Sequence, residues 1–233
     1  EAGGICKFSD FLKIAKTTGN TLKKLQDAGN IQITDKEVYR NPLKIFENNQ
    51  SDEFLDLNFD QEYSCRRIVE AMDKGDSEPF LLYGVTGSGK TEVYFHSIKY
   101  ALEKGKNVII LAPEIALASQ LAKRLAKRFG IDKVAIWHSN ISDGEKYDVW
   151  QKIRNNEVRI IVGARSAIFA PIKNIGLIVI DEEHESGYKQ TSPAPRYNAK
   201  DLAYERAKRN ESVFVLGSAT PDVSTYYRAI NTN

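Results

Sequence analysis

At 233 residues the chain has room for one large domain, or for one domain and a small module. A hydrophobic content of 42% with 15 glycines lies in the globular range and excludes disorder for most of the length. Thirty-three basic against 31 acidic residues leave a formal charge of +2, so bulk charge announces no polyanion partner and any basic surface must be local. Two cysteines, Cys6 and Cys65, are too few for a disulfide framework. His96, His138 and His184 are too widely spaced for a metal pair, so no zinc is expected in this chain. No secretory signal opens it and no apolar run approaches the ~18 residues of a membrane span, which predicts a cytoplasmic protein with no membrane partner.

Ser9 is placed to cap a helix over residues 10–16, with Phe11, Leu12, Ile14 and Ala15 as its apolar face. A turn holding Gly19 leads to a second helix over 21–28, built on Leu22, Leu25 and Ala28, with Gly29 at the position that ends it. Residues 31–34 alternate, Asp35-Lys36 turns and 37–40 return, the pattern of a β-hairpin. Helix, turn, helix and hairpin make the second half of a winged helix-turn-helix, predicted for residues 1–41 and begun part-way through the module. Thr21, Lys23 and Lys24 then lie either on a DNA-recognition helix or on the solvated face of a spacer. Residues 42–56, with Pro42 and Asn48-Asn49-Gln50-Ser51, read as a linker.

From Leu57 the pattern changes. Strands are predicted over 80–83, 107–111, 134–137, 160–162, 177–180 and 213–216, with helical stretches such as 92–102 and 117–129 between them. That alternation predicts an α/β fold with a mainly parallel sheet covered on both faces.

Directly after the first of these strands stands Gly84-Val85-Thr86-Gly87-Ser88-Gly89-Lys90-Thr91, a full match to GxxxxGK[ST] with a strand before it and a helix after it. Glycines let successive N–H groups point inward as an anion nest, and the helix N-terminus adds its free donors and positive dipole end. Lys90 is expected to reach the β- and γ-phosphates of ATP, and Thr91 to offer its hydroxyl to Mg2+. At the end of the apolar run 177–180 stands Asp181-Glu182-Glu183-His184. Strand ends deliver side chains to the ligand crevice of such a sheet. Asp181 is therefore expected to hold Mg2+ through its water shell and Glu182 to orient and deprotonate the attacking water; the competing interpretation is a solvated acidic loop.

Asp181 to His184 spell a variant of the DExH box, and the chain resembles superfamily 2 nucleic-acid helicases at further stretches in that family's order. Gln61 stands where the family reads adenine. Pro113-Glu114-Ile115 resembles motif Ia, Gly163-Ala164-Arg165-Ser166-Ala167 motif Ib, and Gly217-Ser218-Ala219-Thr220 motif III. Residues 84–93, 112–117, 138–150, 165–171, 181–190 and 195–202 are similar to the replication-restart helicases of the primosome. Ala164 departs from the threonine expected there, which weighs against a phosphate contact from that position.

The resemblance implies a RecA-like P-loop NTPase lobe over 57–233, binding ATP through Gln61 and residues 84–91. It implies Lys90, Asp181, Glu182 and His184 as the catalytic set, His184 bridging to motif III. Pro113, Arg165, Ser166, Tyr188, Lys189, Arg196, Tyr197, Ser218 and Thr220 would contact DNA or couple it to ATP. The implied partners are single-stranded and forked DNA, primosome proteins and single-strand-binding protein. Tyrosines interleaved with cations in 185–199 either stack on unpaired bases or pin that loop to the domain. Lys123, Arg124, Lys127 and Arg128 read as a solvated helix face, and His138 and Trp150 as core or capping residues. A full motor of this family needs a second lobe with an arginine finger, so this chain is expected to bind ATP but hydrolyse it slowly. Two rival functions stay open: a related double-strand DNA translocase, and a winged-helix regulator with a P-loop nucleotide sensor.

Overall fold

The computed structural model describes residues 8–33 and 53–231, in a chain that divides into two compact units, residues 1–38 and 39–233. In the first unit, α1 (Phe8–Ile14) and α2 (Gly19–Asp27) match the two predicted helices, each beginning two residues earlier. Leu22 is buried. Gly29 adopts φ +74°, letting Asn30 N–H reach Leu25 O and Gly29 N–H reach Gln26 O, each at 2.9 Å. These paired bonds satisfy the last carbonyls of α2 and end it. Residues 31–33 form no regular element, and the rest of the predicted hairpin, 34–40, lies outside the described residues, as do 42–52 of the predicted linker.

In the second unit six runs of aliphatic residues form one sheet. Its strands are β1 (Pro79–Tyr83), β2 (Asn107–Leu111), β3 (Val134–Trp137), β4 (Ile160–Gly163), β5 (Ile175–Ile180) and β8 (Val213–Ser218). Every pairing is parallel, in the order β1-β8-β5-β2-β4-β3. Successive side chains of a strand face opposite sides, so a strand buried on both faces must feed two cores. Val108, Ile110, Leu177, Val179, Val213 and Val215 pack beneath α3 (Phe59–Lys74), α4 (Lys90–Glu103) and α5 (Ile115–Phe129). Ile109, Leu111, Ile178, Ile180, Phe214 and Leu216 pack against α6 (Asp143–Arg154) and α7 (Ala199–Asn210). The small Ala199, Ala203 and Ala207 let α7 lie close to the sheet. A short antiparallel pair, β6 (Lys189–Gln190) and β7 (Tyr197–Asn198), and a last helix, α8 (Val223–Asn231), complete the unit.

Two expectations change on this face of the lobe. Residues 53–56, predicted as linker, bring Phe54 into aromatic contact with His96 at 5.1 Å and Phe129 at 5.6 Å between ring centroids. One member of the basic stripe of α5 is not solvated: the Arg128 side chain is only 7% exposed, pairs with Glu92 at 2.8 Å and lies 5.0 Å from the rings of both Phe54 and Phe95. Arg124 also faces Glu92, at 3.5 Å. A charge so sheltered is tolerated because a carboxylate and two ring faces replace its water.

Candidate functional site

All six strands run the same way, so the loops that follow them emerge on one edge. β8 and β5 lie between β1 and β2, the strands that α4 joins. The order of connection reverses there, and a crevice opens above the strand ends. Ladder bonds continue past those ends and hold the loops. Gly84 N–H donates to Ser218 O (3.2 Å), Glu183 N–H to Gly217 O (2.9 Å), Asp181 N–H to Leu111 O (2.9 Å) and Ala112 N–H to Gly163 O (2.9 Å). Segments far apart in sequence, each carrying a predicted motif, are thereby fixed side by side.

The loop from Gly84 to Thr91 turns through a Ser88 N–H to Val85 O bond of 3.1 Å and enters α4 at Gly89, whose φ is +83°. That left-handed backbone favours glycine, and a Cβ there would also displace the Gln61 amide. Gln61 comes from the first turn of α3, where it and Asn58 form a reciprocal capping box with bonds of 2.9 and 3.0 Å. Its Nε2 donates to Ser88 O at 2.8 Å, tying α3 to the P-loop. Lys90 is 9% exposed, and its Nζ donates to Gly84 O at 2.8 Å. Val85, Thr86 and Gly87 stay exposed at the mouth.

Across the crevice Asp181 directly follows β5, and its Oδ1 accepts a 3.1 Å hydrogen bond from the hydroxyl of Tyr94 on α4. Burial pushes the Asp181 carboxyl above the ordinary carboxylate value, against the pull of the Tyr94 bond and of the Lys90 charge. Glu182 takes φ +46°, a left-handed backbone that costs a non-glycine residue about 1 kcal/mol or more. Its carboxylate is 30% exposed and lies 3.7 Å from His184 Nδ1. The same ring nitrogen shares a 2.8 Å hydrogen bond with Ser218 Oγ, which also accepts from Thr220 N–H at 3.0 Å. The acidic box and the Ser-Ala-Thr turn are thus joined through one imidazole.

Glu183 behaves unlike its neighbours. It is 0% exposed, and its carboxylate accepts from Asp222 N–H (2.7 Å), Lys200 Nζ (2.9 Å) and Thr225 Oγ1 (3.2 Å). Lys200 also pairs with Asp222 at 2.5 Å. The sequence offers only a third acid in a row and gives no sign that it is core. Tyr94 was missed for the same reason, since nothing local distinguishes it from any aromatic residue on a buried helix.

The remaining predicted contacts lie around the ends of β2 and β4. Arg165 opens a short 3-10 turn, Arg165–Phe169, that also carries Ser166. Its guanidinium sits beside the Tyr197 hydroxyl. The Tyr197 ring meets Phe169 edge to face at 5.1 Å. Phe169, 56% exposed, is an aromatic that the sequence reading did not single out. Lys189 and Arg196 are exposed, and with Gln190, Thr191, Tyr197 and Asn198 they line a cavity of about 390 Å3. Gln190 Nε2 donates to Pro193 O at 2.9 Å and Pro195 O at 3.0 Å, bracing the loop between β6 and β7.

Three residues predicted to contact DNA or couple it to ATP are buried, so their side chains are placed for coupling and not for contact in this conformation. Tyr188 is 1% exposed and its hydroxyl meets the carbonyls of Leu111 and Asp181, so it is a core strut and not a stacking platform. Its phenol is held well above its usual pKa by burial and by the nearby acids. Pro113 is buried. Ser218 is 0% exposed, whereas Thr220 is exposed.

The DEAD/DEAH box helicase family model matches residues 60–229. The chain belongs to that family. It is 47% identical over 230 residues to the replication restart protein PriA of Bacillus subtilis, a match covering 98% of this chain and 27% of that protein. It is 38% identical to PriA of Synechocystis, covering 97% and 26%. The chain therefore spans about a quarter of the length of these curated relatives. Among solved structures, RecG bound to a three-way DNA junction is 26% identical with a TM-score of 0.57, covering 76% of this chain and 23% of that one. The Pyrococcus furiosus Hef helicase domain, 20% identical with a TM-score of 0.53, covers 75% of this chain and 35% of that one and shares the fold.

This family implies ATP and Mg2+ as ligands, and the residues present suit both. The Thr91 hydroxyl and the Asp181 carboxylate are hard oxygen donors of the kind Mg2+ takes, and Lys90 and the first turn of α4 offer donors to phosphate. Among the described residues no cluster of three or more His, Cys, Asp or Glu side chains could hold a metal alone. No described helix is long and apolar enough to cross a membrane.

Proposed function

We propose that residues 57–233 are the ATP-binding lobe of a replication-restart DNA helicase, translocating on single-stranded DNA at stalled forks, with residues 1–41 as a winged-helix module joined by 42–56. The observation that carries this reading is the His184–Ser218 bond at 2.8 Å, which links the candidate hydrolytic acids to the turn leading toward the nucleic-acid side. A nucleotide sensor has no need of that link.

In this reading Gln61 holds adenine, because each of its amide atoms keeps one bonding capacity beyond the bonds it makes. The amides of Gly84 to Thr91 and the Lys90 ammonium hold the phosphates. Thr91 and Asp181 hold Mg2+, which when bound offsets the charge of the triphosphate. Glu182, pushed outward by its left-handed backbone, orients water and takes its proton. His184 senses that carboxylate and passes its position to Ser218 and Thr220. On the far side Arg165, Lys189 and Arg196 meet backbone phosphates while Tyr197 and Phe169 offer ring faces to unpaired bases. Replication-restart partners, including single-strand-binding protein, are those the PriA likeness suggests. Hydrolysis by the 233-residue chain alone is slow, because a second lobe supplies the arginine finger, worth about 10³–10⁵ in rate in related phosphoryl transfers.

A second reading, a translocase acting on branched duplex DNA, is favoured by the likeness to RecG. Anisotropy titrations separate the two. A single strand and a non-hydrolysable ATP analogue with Mg2+ should raise each other's affinity for the chain, as linkage requires. Tighter binding to blunt duplex than to single-stranded or forked DNA, with no nucleotide effect, would overturn the restart-helicase reading.

A further inference from the structure

Tyr94 lies three residues beyond Thr91 on α4, so both side chains project from one face of that helix toward β5. Its ring is 1% exposed, and its hydroxyl donates to Asp181 Oδ1 at 3.1 Å. On its other side the hydroxyl fills the space above Gly217, where a Cβ would overlap it; Asp181 Oδ1 itself lies 3.5 Å from that Cβ position. Gly217 in turn accepts the Glu183 N–H at 2.9 Å. One phenol therefore stands where the P-loop helix, the acidic box and the Ser-Ala-Thr strand converge.

A carboxylate with two equivalent oxygens rotates unless something fixes it. Here a buried phenol donates to Oδ1, and the Glu182 backbone N–H also donates to the same carboxylate, so its orientation is fixed from two sides. No other described hydrogen bond is made by this hydroxyl, and in a dry site a charged acceptor is its strongest available partner.

We propose that Tyr94 is a positioning residue for the carboxylate that would hold Mg2+: it fixes the orientation of Asp181 in the crevice, and Gly217 is glycine because the phenol needs its space. This rests on the assignment of Asp181 to Mg2+ in the proposed function.

The test is a Mg2+ titration of binding of a fluorescent non-hydrolysable ATP analogue to the 233-residue chain, alongside binding in EDTA. Tyr94→Phe keeps the ring and deletes one oxygen. It should raise the Mg2+ concentration for half-maximal binding about tenfold, the loss expected for a hydrogen bond to a charged group, with metal-free affinity within about twofold of wild type. Gly217→Ala, which must displace the phenol, should shift the Mg2+ curve in the same direction. A Tyr94→Phe curve that overlays the wild type overturns the proposal. So does an equal loss with and without Mg2+, the signature of a merely structural side chain. If the wild-type chain binds no nucleotide at any Mg2+ concentration, the failure lies in the nucleotide assignment itself, and the Tyr94 role falls with it.

Discussion

The crevice above β1, β8 and β5 and the surface beyond β2 and β4 are built from the same parallel strand ends, yet their side chains are held very differently. In the first, Lys90 is held by Gly84 O within the P-loop, Asp181 by Tyr94 of α4, and His184 and Ser218 by each other across two motifs. In the second, Lys189 and Arg196 are exposed, Phe169 is more than half exposed, and what is braced is the backbone of the β6–β7 loop, by Gln190. A preorganised pocket suits a ligand whose geometry never varies, such as a triphosphate. Adaptable cations on a braced loop suit a polymer that must be gripped and released whatever its sequence.

The two regions should therefore separate under mutation. The largest effect is expected at Glu182. In a polypeptide carrying both helicase lobes, Glu182→Gln should lower the DNA-stimulated ATPase rate about 10²–10⁴-fold with nucleotide affinity nearly unchanged, as loss of a general base does. Steady-state kinetics near the wild-type rate would remove Glu182 from that role. Its neighbour should fail in another way. Glu183→Ala leaves Lys200, Thr225 and the Asp222 amide without their buried acceptor, and should cost about 3 kcal/mol of stability, the low end for breaking a buried pair because Lys200 keeps Asp222. Urea denaturation of the chain measures this; a midpoint equal to wild type would show the network to be dispensable. The smallest effect belongs to the outer region. Tyr197→Ala should weaken single-strand binding about tenfold, within the range for one lost base stack, without moving nucleotide affinity. A change in nucleotide affinity instead would erase the distinction between the regions.

That distinction also decides what could be read from the sequence. The P-loop is legible because its geometry demands particular residues: Gly89 at φ +83° against Gln61, lysine and threonine at fixed offsets, a strand before and a helix after. The inner strands β2, β4 and β5 are legible because they are buried on both faces and so are almost wholly apolar, while β1 at the sheet edge is exposed at both ends. What escaped were residues whose identity is set by a partner distant in sequence. Glu183 finds Lys200 and Asp222, Arg128 finds Glu92 and Phe54, and Tyr94 finds Asp181 and Gly217, and none of these leaves a local pattern. Tyr188 is the converse case. Polar neighbours and nearby prolines make its segment look like a solvent loop, yet the side chain turns inward to two backbone carbonyls beneath the acidic box.

The most direct test of the nucleotide crevice is titration calorimetry of the 233-residue chain with a non-hydrolysable ATP analogue and Mg2+, beside Lys90→Ala. Saturable binding by wild type, weakened roughly 100-fold by loss of the buried ammonium, is the predicted outcome. Equal affinity of the two proteins, or no heat from wild type at millimolar nucleotide, would contradict it.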